Sequence, residues 1–134
     1  MADIRATITP RKEILVSNFS VGTGAISSAN KISSGQLVTT DFTNQVLDDF
    51  VITGLRTVKY IIEARSATST HVLEALLSHD DVDAYLVEYG VFFTAEELIS
   101  IDADINVQTS TLSLRITPLV NEQIVTRFTR IDIN

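Results

Sequence analysis

The chain has 134 residues, no cysteine and no tryptophan, and its 17 acidic side chains outnumber 10 basic ones for a net charge of −7. That length suits one domain with a real core, and the lack of cysteine excludes disulfides, thiol chemistry and cysteine-containing metal sites, so burial and sheet pairing must hold the fold. The negative charge opposes phosphate backbones and anionic lipid, no apolar run approaches the roughly 20 residues of a spanning helix, and no basic segment followed by an apolar one opens the chain; the expectation is a soluble, unsecreted protein that binds neither nucleic acid nor membrane.

At the start, Ile4, Ala6 and Ile8 alternate with Arg5 and Thr7, the period of a strand. Pro10 lacks a backbone donor and separates this run from a second extended candidate at residues 13–19. Residues 17–43 are dominated by Ser, Thr, Gly and Asn, with Phe19, Val21, Ile26, Ile32 and Leu37 spaced too irregularly for a helix. Such a stretch cannot offset its own ordering entropy alone. It reads either as ordinary long loops or as an arm pinned on a neighbouring subunit, which makes those five apolar residues candidate inter-subunit contacts. The expected division is residues 1–45, N-terminal strands and arm, and residues 46–134, a β module, together one domain.

In QVLDDFVITGLRT, the residues Val46, Leu47, Phe50 and Val51 have helix-like spacing, and both a helical turn and an irregular strand fit. From Thr57 the period is two, with Val58, Tyr60, Ile62 and Ala64 on one side and Lys59, Ile61, Glu63 and Arg65 on the other. The next piece, THVLEALLSHDD, has a helical stripe of Val72, Leu73, Leu76 and Leu77. The acidic turn Asp80, Asp81, Val82, Asp83 and the run AYLVEYGVFF nevertheless make a hairpin the better global fit, and it is assigned as strand. TAEELIS is the other place where a helical turn fits, with Thr94 placed to cap it and Glu97 in capping-box spacing, and it reads as a link between two strands.

Beyond it, Ile99, Ile101, Ala103 and Ile105 alternate, then Leu112, Leu114 and Ile116, then a last run from Val125 to the C-terminus; the expectation is a three-stranded antiparallel meander. Eight to ten short strands need two faces to hide their apolar side chains. The fold class is therefore all-β, a two-sheet antiparallel β-sandwich with an extended N-terminal arm or long loops. A C-terminal edge strand would need protection by Arg127, Arg130 and Asp132 or by a neighbouring chain, which adds Arg127 and Arg130 to the candidate contacts.

Catalytic alphabets are thin. His71 and His79 lie eight residues apart, about 26 Å on a strand, too far to share a metal, and read as surface or hairpin histidines. Asp80, Asp81 and Asp83 lack the Gly and distal Glu of a calcium loop and read as a solvated turn capping its own backbone donors. Ser69 with His71, and Asp102 with Asp104, lack the neighbours of a hydrolase, and VGTGAISS lacks the strand–helix context of a dinucleotide site. Tyr60, Tyr85, Tyr89, Phe92, Phe93 and Phe128 read as core or inter-subunit contacts. No catalytic, metal or cofactor-binding residue is assigned, and the expectation is a protein that is not an enzyme and needs no cofactor.

The pieces Lys59-Tyr60-Ile61-Ile62-Glu63-Ala64, Val72 to His79 and Asp80, Ala84-Tyr85-Leu86-Val87-Glu88-Tyr89-Gly90, Asp102-Ala103-Asp104-Ile105 and Leu112-Ser113-Leu114-Arg115-Ile116-Thr117-Pro118 stand in this order. Together, over roughly the last eighty residues, they resemble a β-rich module of virion structural proteins of tailed phages, especially those infecting cyanobacteria. Asp81 stands where that module commonly has Gly. The resemblance implies a bacteriophage structural protein located in the virion. It would be a capsid decoration or cement protein on the head surface or, alternatively, a tail, neck, tail-fibre or appendage adaptor; a host-surface glycan-binding adhesin is a further alternative. The implied partners are other virion proteins, the major capsid protein or tail components, and copies of the chain itself in a homo-oligomer, with a trimer the reasonable guess.

Overall fold

Period-two runs of β-branched and aromatic residues become eight strands and no helix in the computed structural model, which describes residues 31–133. In chain order they are β1 (Ile32–Thr39), β2 (Gln45–Val51), β3 (Thr57–Arg65), β4 (Thr70–His79), β5 (Ala84–Phe93), β6 (Ile99–Asn106), β7 (Thr111–Pro118) and β8 (Ile124–Ile133). They form a five-stranded sheet of order β1-β8-β3-β4-β5 and a three-stranded sheet of order β2-β7-β6, with every pairing antiparallel. The expected two-sheet sandwich is what the chain folds into. The expected strands at 4–8 and 13–19, with Phe19, Val21 and Ile26, lie outside the described residues.

The core is the set of side chains that alternation turns inward. Val58, Tyr60, Ile62 and Ala64 from β3, Leu73, Ala75 and Leu77 from β4, and Leu112, Leu114 and Ile116 from β7 are fully buried. On β4 the helical stripe is split by the pleat: Leu73 and Leu77 point inward while Leu76 is 41% exposed on the outer face. Strand wins over local helix propensity because β4 pairs along its length with β3 on one side and β5 on the other.

The helix-like spacing in β2 has another cause. Its register against β7 shifts between Val46 and Asp48, an extra residue at Leu47. The bulge lets Leu47, Asp48 and Phe50 all turn toward the interior, with Leu47 and Phe50 each 8% exposed, so an irregular strand mimics helical periodicity.

Three expectations are corrected. First, Ile32 and Leu37 do not belong to an irregular arm: Ile32–Thr39 is a strand paired along its length with β8 of the same chain. Gly35 makes this possible, because Phe128 lies opposite it and a Cβ there would stand 2.8 Å from Phe128 Cε1. Second, β6, β7 and β8 are not a meander, since β8 crosses to the other sheet and inserts between β1 and β3. β8 is thus an interior strand, and Arg130 and Asp132 are buried rather than guarding an edge. Third, residues 94–98 form no helical turn; Thr94 Oγ1 accepts the N–H of Thr70 and the Thr94 N–H donates to Thr70 O, tying the crossover to β4.

Candidate interaction surface

β5 is unlike the other strands. Its sequence AYLVEYGVFF carries apolar side chains toward both faces, yet among the described residues it is the last strand of its sheet and most of it is exposed. Register with β4 sorts its residues. Tyr85, Val87, Tyr89 and Phe92 lie opposite the outward residues Ser78, Leu76, Glu74 and Val72, whereas Ala84, Leu86, Glu88 and Phe93 lie opposite the inward His79, Leu77, Ala75 and His71. Tyr85, Val87 and Phe92 are 56%, 59% and 56% exposed. Gly90, with φ 59°, supplies the left-handed residue at a register shift that leaves two residues of β5 against Leu73.

Edge strands in monomeric proteins are commonly blunted by lysine, proline or covering loops. β5 has no lysine or proline among its ten residues; its blunting devices are the bulge at Gly90 and the single charge of Glu88 on the inward face. The apolar character runs inward across the same outer face through Leu76 and Ile61, both 41% exposed, around the ion pair of Lys59 Nζ with Glu74 Oε1 at 3.3 Å. Hydrogen bonding and attraction from Glu74, with help from Tyr89, raise the Lys59 pKa. The opposite edge, β1, presents Ser33, Ser34, Gly35 and Gln36. On the outside of the three-stranded sheet, Arg115 Nε donates to Asp104 Oδ1 at 2.7 Å and Asn44 bridges Asp102 and Thr117. One outer surface is therefore polar and tied into its own hydrogen bonds, and the other is apolar toward β5.

Two carboxylates border this edge without a cation among the described residues. Glu88 is held above the ordinary carboxylate range by partial burial and then by the charge of Glu97. At the β4–β5 turn the Asp80 carboxylate accepts the N–H groups of Asp83 and Val82 and the Tyr85 hydroxyl, which hold it below its usual range. Asp81 sits at φ 79°, a backbone that glycine adopts without cost.

The buried polar groups are structural. His71 and His79 are both inside, 1% and 3% exposed, rather than at the surface, at opposite ends of β4. His71 Nδ1 accepts the N–H groups of Leu98 and Ile99, and its ring meets Phe93 edge-on at 5.7 Å. His79 accepts the Asp81 N–H at Nδ1 and donates from Nε2 to Leu55 O at 2.6 Å. Ser69 Oγ is occupied by the crossover, donating to Glu96 O while accepting from Ala95 and Glu96 N–H, so it is no nucleophile poised by His71. No group of three or more His, Asp or Glu among the described residues could hold a metal ion.

Of the candidate contacts, Ile32 is exposed on the outer face, Leu37 packs against the core, Arg127 is exposed on β8 and Arg130 is buried. They do not converge on one site. The β5 edge does converge, and its signal lay in AYLVEYGVFF itself: a run apolar in both alternating sets calls for cover on both faces, and among the described residues most of this strand is exposed.

No family model and no curated protein matches the chain. Among solved structures it is similar to the tailspike protein of the Acinetobacter phage vB_ApiP_P1, at 10% sequence identity and a TM-score of 0.44 over 94% of this chain. The chain spans 28% of the length of that protein.

Proposed function

We propose that the chain is a non-enzymatic structural protein of a phage virion, a sandwich module that joins neighbouring virion subunits through β5 and the adjoining outer face. The observation that carries this reading is the apolar β5 edge, uncovered and without a further strand partner among the described residues, whose backbone and aromatic side chains suit strand addition and apolar burial by another subunit. The ordered motifs from Lys59 to Pro118, with their resemblance to virion modules, supply the setting. Many weak copies of such a contact become a stable one on a symmetric particle.

Purified virions probed with antibody against this chain should be labelled. Label over the shell identifies a capsid decoration protein, and label confined to the tail identifies a tail, neck or fibre adaptor. Absence from virions overturns the proposal.

The outward exposure of Tyr85, Tyr89 and Phe92 supports a second reading, a glycan-binding adhesin that stacks sugars on these rings. Saturable binding on a glycan array, lost in Tyr85→Ala, would establish it; silence at high protein concentration would exclude it.

A further inference from the structure

The crossover from β5 to β6 is held against the start of β4 by two side chains. Ser69 Oγ donates to Glu96 O at 2.8 Å and accepts the N–H groups of Ala95 and Glu96, while His71 Nδ1 accepts those of Leu98 and Ile99 at 3.3 and 3.4 Å. We propose that these contacts form a proton-operated clasp: when His71 takes up a proton, residues 95–98 part from β4 while both sheets stay paired.

The hydrogen bonds set the tautomer. Because Nδ1 accepts two N–H groups it carries no hydrogen, so the neutral ring is protonated at Nε2, which is buried without a partner among the described residues. A proton taken up by the folded ring therefore goes to Nδ1. There it would point at two N–H donors, so both bonds are lost and two buried donors are left without an acceptor. Ser69 cannot replace that acceptor, since its hydroxyl already serves Ala95 and Glu96.

Little around the ring rewards a cation. Opposite His71 stand Ala64 of β3 and Phe93 of β5, and the buried side chains of β6 and β7, from Ile99 to Ile116, are apolar. Glu63 and Arg65, which flank Ala64, lie on the outer face and pair with each other. Arg130, Asp48 and Asp132 gather at Tyr60, about 13 Å along β3 from Ala64, and His79 is at the far end of β4. On the crossover Glu96 and Glu97 are exposed, and Glu88 of β5, partly buried, feels the charge of Glu97. Burial weakens the hold of the folded His71 ring on a proton, and Glu97 opposes this only in part.

The opening is local because the segment is anchored elsewhere at both ends. Thr94 exchanges two hydrogen bonds with Thr70, Leu98 O accepts the Leu119 N–H, and Ile99 pairs with Pro118. The segment can thus swing away from Ser69 and His71 without unpairing β5 from β4 or β6 from β7. Once it has opened, the ring regains its ordinary affinity for a proton. Opening therefore becomes easier as pH falls through about 6.5 and is insensitive to pH above it.

The test is amide hydrogen exchange followed by NMR on the full-length chain carrying Glu88→Gln, which silences the carboxylate that responds to acid in the opposite sense. With intrinsic exchange rates corrected for, opening at Leu98 and Ile99 should become about tenfold more frequent between pH 7.5 and 5.5. It should also depend less on urea than exchange at Leu114 and Ile116. Adding His71→Asn, which keeps an acceptor near the place of Nδ1 but does not titrate, should abolish the pH response. Nitrogen chemical shifts of the unaltered ring should report the Nε2–H tautomer, a measurement that needs no variant at position 71. Four results each overturn the proposal: corrected exchange at both amides that ignores pH, exchange there that matches Leu114 and Ile116 in rate and urea dependence, an unchanged pH response in the His71→Asn chain, or a ring that carries its hydrogen on Nδ1 at pH 7.5.

Discussion

Arg130 on β8 and Asp48 on β2 meet across the sandwich, Nη1 donating to Oδ2 at 2.9 Å, and thereby tie the two sheets together through their interior. The same guanidinium donates from Nε to Asp132 Oδ1 at 2.7 Å and lies 5.0 Å from the centre of the Phe50 ring, while Tyr60 donates its hydroxyl to Asp48. Burial works against the Arg130 charge, but Asp132 and Asp48 more than offset it and raise its pKa; burial and Asp48 push the Tyr60 phenol up. Removing the cation alone strands two carboxylates. Arg130→Met is expected to cost about 3–5 kcal/mol in urea unfolding, and exchanging Asp48 and Asp132 for Leu and Tyr60 for Phe as well, so that no buried polar partner is left behind, should recover most of that loss.

Gly35 and Phe128 make a second cross-strand dependence. Because a side chain at position 35 would enter the space of the Phe128 ring, Gly35→Val should destabilise by about 1–3 kcal/mol. Phe128→Leu in the same chain should make the Gly35→Val cost smaller than in the parent, a coupling that a double-mutant cycle measures.

His71 makes stability depend on pH. Burial holds its imidazole below the ordinary value, opposed in part by Glu97, so the unfolded chain takes up a proton that the folded one refuses as pH falls through about 6.5. Its contribution is complete above that pH and declines below it. Glu88, whose pKa is raised, acts in the opposite sense on acidification, and Glu88→Gln isolates the histidine effect. Denaturant midpoints between pH 7.5 and 5.5 should fall with acidification in Glu88→Gln, and the slope should diminish in Glu88→Gln with His71→Phe. At pH 7.5 His71→Phe should cost about 1–3 kcal/mol, because two buried N–H groups lose their acceptor.

Asp81 occupies a left-handed backbone position in the β4–β5 turn. Asp81→Val should destabilise by about 1–2 kcal/mol, since a β-branched residue is poorly tolerated there. Asp81→Gly should leave stability within about 1 kcal/mol of the parent, because its ion pair with Arg56 is exposed at both ends. Thermal unfolding of the two variants separates backbone strain from lost charge.

Val87 tests the surface. As it is 59% exposed, Val87→Lys should change folding stability by less than about 0.5 kcal/mol. The same substitution places a charge in the apolar edge and, under the proposed function, should sharply reduce incorporation into virions, read by quantitative mass spectrometry of purified particles.

Strict alternation made β3, β6 and β7 legible, because each keeps one face on the core for its whole length. β2 was ambiguous for a physical reason: its bulge at Leu47 breaks the period of two. ISSGQLVT reads as arm or long loop because it has few apolar residues; β1 is held by ladder hydrogen bonds to β8 and by room for Phe128, neither of which local composition records. The aromatic residues of β5 were visible as contacts of some kind, but core and surface could not be told apart.

The sequence by itself determined an all-β, disulfide-free sandwich, since period and turn chemistry are local properties of the chain. Tertiary structure alone decided that β8 is interior and that β5 is an edge among the described residues. Strand order depends on pairings between residues far apart in sequence, and only that order turns Arg130 into a buried tie and the apolar run of β5 into an uncovered surface.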